Sequence, residues 1–134
     1  MDTSKLPKEL PSFTKEIEIN TIGNITNQEY NGKFTYKIPN TRARSNISKL
    51  EARMNEGLTL DQTTSILHYM LAYLRFTILE DESEHILPKW WQESDYGYDL
   101  YDTNVVTELY LECNEYENEF NEKVFGKPEE SKED

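Results

Sequence analysis

Residues 66–79 read Ile66-Leu67-His68-Tyr69-Met70-Leu71-Ala72-Tyr73-Leu74-Arg75-Phe76-Thr77-Ile78-Leu79, and the reading of this run decides the fold. Ile66, Leu67, Met70, Leu71, Leu74, Ile78 and Leu79 do not keep to one helical stripe. A helix apolar nearly all round is either the centre of a core or a membrane span. At ~1.5 Å per residue the run reaches about 21 Å, short of the roughly 30 Å of bilayer hydrocarbon. It also carries His68 and Arg75. The run is therefore expected to be a central core helix that begins after Asp61, a good N-cap, and reaches about Asp81.

Upstream, Ala43, Ile47, Leu50 and Met54 recur at helical steps and predict a helix from about Thr41 to Glu56. Asn40 or Thr41 would cap it and Gly57 would end it. Arg42, Arg44, Lys49 and Arg53 make its other faces basic. Further back the period changes to two. Glu16-Ile17-Glu18-Ile19-Asn20 puts both isoleucines on one face, and Phe34-Thr35-Tyr36-Lys37-Ile38 does the same with Phe34, Tyr36 and Ile38. That alternation predicts two strands, most simply a hairpin with Asn31-Gly32 turning into the second strand and Pro39 stopping it.

Downstream, residues 82–102 read as a long acidic, aromatic connection. Then Val105, Val106, Leu109, Cys113, Tyr116, Phe120 and Val124 trace the apolar face of a helix from Thr103 to about Phe125, capped by Asp102 and ended by Gly126 and Pro128. The expected fold is α+β and mainly helical, an N-terminal β-hairpin packed on a three-helix core. Residues 1–12 are expected to be a flexible arm, 13–127 a single globular domain and 128–134 a disordered acidic tail.

The chain has 134 residues, a formal net charge of −12 and 16 aromatic residues. Residues 80–102 and 103–134 each carry a net −7, whereas residues 1–57 carry +2. An acidic second half repels nucleic-acid phosphate and anionic membrane, so neither is an expected partner. Cys113 is the single cysteine, which precludes an intramolecular disulfide and fits a reducing cytoplasm. Residues 1–11 lack the apolar stretch of a signal peptide, so Asn24-Ile25-Thr26 and Asn46-Ile47-Ser48 read as chance matches to the glycosylation pattern.

Candidate catalytic groups have plainer explanations. His68 lies within the apolar helix and His85 in an acidic turn, and neither has a His or Cys at metal-ligand spacing. Cys113 falls on an apolar face, where a thiol is a small buried hydrophobe. Asp95, Asp99 and Asp102 lack the alternate acids, sixth-place glycine and closing glutamate of a calcium loop. There is no phosphate-binding glycine loop and no nucleophile elbow. No enzyme, cofactor or metal is expected. What stands out is the aromatic set Trp90, Trp91, Tyr96, Tyr98 and Tyr101, with Phe125 further on. One indole can seal the core edge, but tyrosine and tryptophan are also the common anchors of protein contact surfaces. These six residues are the expected partner-binding site.

The order of features resembles a known family. A strand pair ends in Ile38-Pro39, basic Arg42-Ala43-Arg44 follows, then the nearly uncharged helix, then Pro88-Lys89-Trp90-Trp91, and last an acidic amphipathic helix ending in Phe120 to Gly126. This layout, over about residues 15–127, resembles the tail assembly chaperones of long-tailed bacteriophages. The resemblance implies a helper in the host cytoplasm that binds the tape measure protein and keeps it soluble during tail morphogenesis, with self-association along the partner. It also implies a longer frameshifted product, since Gly126-Lys127 resembles the context of such slippery sites. It supplies no catalytic residues. The charge leaves two alternatives: a phage DNA-mimic inhibitor, or a generic adaptor protein.

Overall fold

A computed structural model describes residues 10–56, 58, 60–80 and 87–126. Most of the expected arm, the acidic tail, Gly57, His85 and Pro128 lie outside the described residues. The elements are β1 (Thr14–Ile22), β2 (Glu29–Lys37), α1 (Thr41–Asn55), α2 (Gln62–Thr77), α3 (Lys89–Glu93) and α4 (Thr103–Phe125). The fold is α+β and mainly helical, with the hairpin first in the chain.

β1 and β2 pair antiparallel in a register that sets Ile17 opposite Phe34 and Ile19 opposite Gly32. Period two then turns Ile17, Ile19, Tyr30, Phe34 and Tyr36 to one buried face. Asn31-Gly32 does not form the turn. Both lie inside β2, paired with Asn20 and Ile19, and the chain reverses over residues 23–28. There Gly23 N–H donates to Gln28 C=O at 2.8 Å, and Asn27 sits at φ 63°. Gly32 is needed for a different reason: a Cβ there would lie 2.2 Å from Pro88 Cγ.

Asn40 caps α1 by accepting from Ala43 N–H at 2.9 Å. The left-handed residue that ends α1 is Glu56, whose N–H reaches Ala52 and Arg53 carbonyls. Asp61 caps α2 through Thr64 N–H at 2.9 Å. α2 is shorter than its apolar run. It stops at Thr77, because Ile78 turns extended and bridges Tyr36, and Leu79 N–H donates to Thr35 C=O at 2.9 Å. The last apolar residues of the run thus cover part of the open edge of β2.

Leu71, Ala72, Tyr73 and Leu74 are buried at the centre, against Ile47 of α1, Leu109, Cys113 and Phe120 of α4, and the hairpin face. The short helix α3, absent from the sequence reading, starts after Pro88 and drives Trp91 into that core. At the other end of the chain, Tyr116 Oη donates to Ser12 C=O at 2.6 Å and Phe13 packs on Phe120, so residue 12 of the expected arm is tied to α4.

Four elements meet in one polar chain inside this core. Tyr73 of α2 donates its hydroxyl to Glu117 Oε1 of α4. With its own proton directed at Glu117, the Tyr73 oxygen accepts from the Tyr36 hydroxyl of β2 at 2.5 Å. Arg44 of α1 closes the other carboxylate oxygen, Nη2 to Oε2, at 2.8 Å. Every buried hydroxyl and carboxylate oxygen in the set thus has a partner, which is what makes polar groups tolerable there.

Candidate functional site

The six aromatics expected to form one surface are divided by the fold. Trp91 is 1% exposed, edge-on to Phe34 with ring centroids 5.5 Å apart. That removes it from any contact surface, because α3 orients it inward and the core closes round it. Trp90 is half-buried; its indole N–H donates to Asn31 C=O at 3.0 Å and its ring meets Tyr30 at 5.0 Å. Tyr96 covers Trp91 and lies under the Arg75 guanidinium, 4.3 Å from the ring centroid. Tyr98 points outward beside His68, whose Nδ1 is 2.7 Å from Asn55 Oδ1. Tyr101 is 76% exposed and Phe125 80% exposed. Tyr101 precedes α4 and Phe125 ends it, so at ~1.5 Å per residue they stand roughly 35 Å apart. They cannot share one small patch.

The loop that places these side chains is a tight left-handed stretch. Asp95, Tyr96 and Gly97 all have positive φ, at 56°, 57° and 90°. Ser94 holds it by donating from Oγ to Trp91 C=O and accepting from Gly97 N–H. Asp102, expected to cap α4, does not bond to that helix through its side chain. It is buried and turned to the hairpin, taking Ile25 N–H, Thr26 N–H, Thr26 Oγ1–H and Tyr30 Oη–H at 2.6–2.9 Å. Burial alone would raise its pKa, but these donors outweigh it and hold the carboxyl at about 2. The carboxylate therefore stays ionised and acts as a clamp on the turn.

The apolar surface lies elsewhere, between the first half of α2 and the first half of α4. Ile66, Leu67, Tyr69 and Met70 form one wall and Thr107, Tyr110 and Leu111 the other, with Thr63 and Thr103 together at the end where both helices begin, around about 500 Å³ of open space. Ile66 is 49% and Leu111 56% exposed. Tyr110 packs edge-on against both Tyr69 and Tyr73; burial, and then Tyr69, push its hydroxyl pKa up, so it faces the groove as a neutral group. Among the described residues no lysine or arginine lines the groove. A smaller hollow of about 150 Å³ lies between Leu50, Met54, Leu71, Arg75, Tyr96 and Tyr98.

The sequence carried two signals for this groove. An all-round apolar helix needs cover on every side, and α1, α4 and the hairpin leave Ile66, and part of Tyr69, exposed. Leu111 also falls outside the stripe from Val105 to Val124 that serves the core.

Nucleophile chemistry has no foothold at Cys113, which is buried, with burial and then Glu112 pushing its pKa up. Among the described residues no three His, Cys, Asp or Glu side chains gather as metal ligands, and no helix is long and apolar enough to cross a membrane. Compared with protein-family models, curated proteins and solved structures, the chain matches none.

Proposed function

We propose that this chain is a protein-binding chaperone that holds a long helical partner and keeps it dispersed, in the manner of a phage tail assembly chaperone acting on a tape measure protein in the host cytoplasm. The observation that carries the reading is the groove between α2 and α4, where Ile66, Tyr69 and Leu111 stand exposed on an otherwise acidic protein. A long amphipathic chain exposes an apolar stripe that aggregates until something encloses it. A groove of this kind covers such a stripe, and a net charge of −12 keeps the complex apart from its neighbours by repulsion. Several copies along one partner follow from the size of the groove.

The test is co-expression with a phage tape measure protein. The partner should move from the pellet to the soluble fraction and co-purify with the chain. A partner as insoluble as it is alone overturns the reading.

A second reading, mimicry of DNA, rests on Glu108, Glu112, Glu115, Glu119 and Glu122, which follow one another along α4 at steps of four and three. It leaves the groove without a use. Displacement of a restriction or repair enzyme from DNA by the chain would favour it.

A further inference from the structure

We propose that the groove between α2 and α4 seats a basic amphipathic helix, with leucine-like side chains in the groove and lysine or arginine beside them. This rests on the reading that the chain holds a helical partner, and it specifies which part of such a partner is held.

The shape argues for a helix. The wall from Thr63 to Met70 runs for two turns of α2, roughly 10 Å, which accommodates the i, i+3 or i+4, and i+7 side chains of one helix face. The second wall, Thr103 to Leu111 on α4, is of similar length. α2 and α4 run side by side in the same direction, Tyr69 beside Tyr110 and Tyr73 beside Glu117, so the groove extends along both helices from Thr63 and Thr103 at one end.

The charge argues for a basic one. Leu111 is the outer lip of the groove. Glu108 stands three residues before it and Glu115 four after, the spacings at which residues are neighbours on a helix surface. Glu112 lies further round α4, in a separate hollow with Lys15 and Ile17 of β1, and Asp61 caps the α2 end beside Thr63. No lysine or arginine occurs in α2 before Arg75 or in α4 before Lys123. The cations of α1 are on another element, which lines no part of the groove. A helix flanked by glutamate would meet like charge at Glu108 and Glu115, whereas a lysine-flanked one is attracted to them.

The experiment uses the full chain and two synthetic helical peptides sharing one leucine stripe, one flanked by lysines and the other by glutamates. Binding is measured by calorimetry at low and high salt. The lysine peptide should bind at least about tenfold more tightly, with the advantage shrinking in salt. Ile66→Glu and Leu111→Glu change exposed side chains, so they should leave the melting temperature nearly unchanged while weakening both peptides about tenfold or more. Glu108→Lys with Glu115→Lys leaves the apolar lining untouched and should reverse the preference between the peptides.

Equal binding of the two peptides overturns the proposal. So does binding of neither, or binding of the lysine peptide that survives Leu111→Glu in a folded chain. A dimer of the chain that Leu111→Glu dissociates also overturns it, since a second copy then fills the groove. If the chain keeps its tape measure partner soluble while both peptides fail, the groove assignment falls and the wider reading stands. If the peptides bind and the partner is not held, the wider reading falls and the groove remains.

Discussion

Thr26 donates twice to Asp102, from its backbone N–H to Oδ1 at 2.9 Å and from its hydroxyl to Oδ2 at 2.6 Å. The two residues are 76 positions apart, so the start of α4 is bound to the turn of the hairpin. Asp102→Ala removes the acceptor for Tyr30, Ile25 and Thr26 together and should lower the melting temperature by more than about 5 °C. A thermal melt indistinguishable from that of the unaltered chain would show that the turn holds without the clamp.

The same carboxylate sets a pH dependence. Its pKa is about 2 in the folded chain against an ordinary value of 3.8, so the folded state favours the ionised form. Its contribution is complete above the ordinary value and is lost as pH falls toward 2. Denaturant titrations should show the stability gap between the unaltered chain and Asp102→Asn narrowing across that interval. A gap that is constant from neutral pH down would refute the assignment.

Tyr73 links the fully buried Tyr36 hydroxyl to Glu117. Tyr73→Phe strands the Tyr36 hydroxyl and removes a donor from Glu117, at an expected cost of about 1–3 kcal/mol in urea unfolding. Tyr36→Phe removes only the terminal donor and should cost less. Burial, and for Tyr73 next the bond to Glu117, raises both phenol pKa values above the ordinary 10.0. Their contribution is therefore full below pH 10 and lost as pH rises beyond it. In an alkaline titration these two phenolates should appear only together with unfolding.

Gly97 sits at φ 90°, and a Cβ there would lie 2.7 Å from Trp91 Cζ3. Gly97→Ala should cost about 2 kcal/mol or more, through backbone strain and through displacement of the indole. Tryptophan fluorescence should shift with it. An unchanged spectrum and stability would mean that the loop relaxes freely.

The aromatic segment should separate by mutation as it does in space. Trp91→Ala should cost about 3–5 kcal/mol, as expected for a core indole. Tyr98→Ala and Tyr101→Ala, at exposed positions, should each stay within about 0.5 kcal/mol. Large losses at both tyrosines would place them in the core.

The alternation at Ile17 and Ile19 and at Phe34 and Tyr36, the four-and-three stripe from Ala43 to Met54, the apolar run from Ile66 to Leu79 and the stripe from Val105 to Val124 determined by themselves the two strands and three long helices among the described residues, and which faces turn inward. Local periodicity and caps such as Asn40 and Asp61 suffice for that, because each depends on residues a few positions apart. Other features waited on tertiary structure. Asp102 leaves its helix for a turn 76 residues away, Ile78 abandons the helical pattern to bridge Tyr36, and Asn31-Gly32 is drawn into a strand rather than a turn. Of the six residues expected at the binding site, Trp91 went to the core and Phe125 to the far end of α4, while Ile66, Tyr69 and Leu111 came together in a groove. Which apolar side chains are covered depends on how many neighbours surround a helix. That number is set by the packing of distant elements, which the spacing of residues along one helix does not encode.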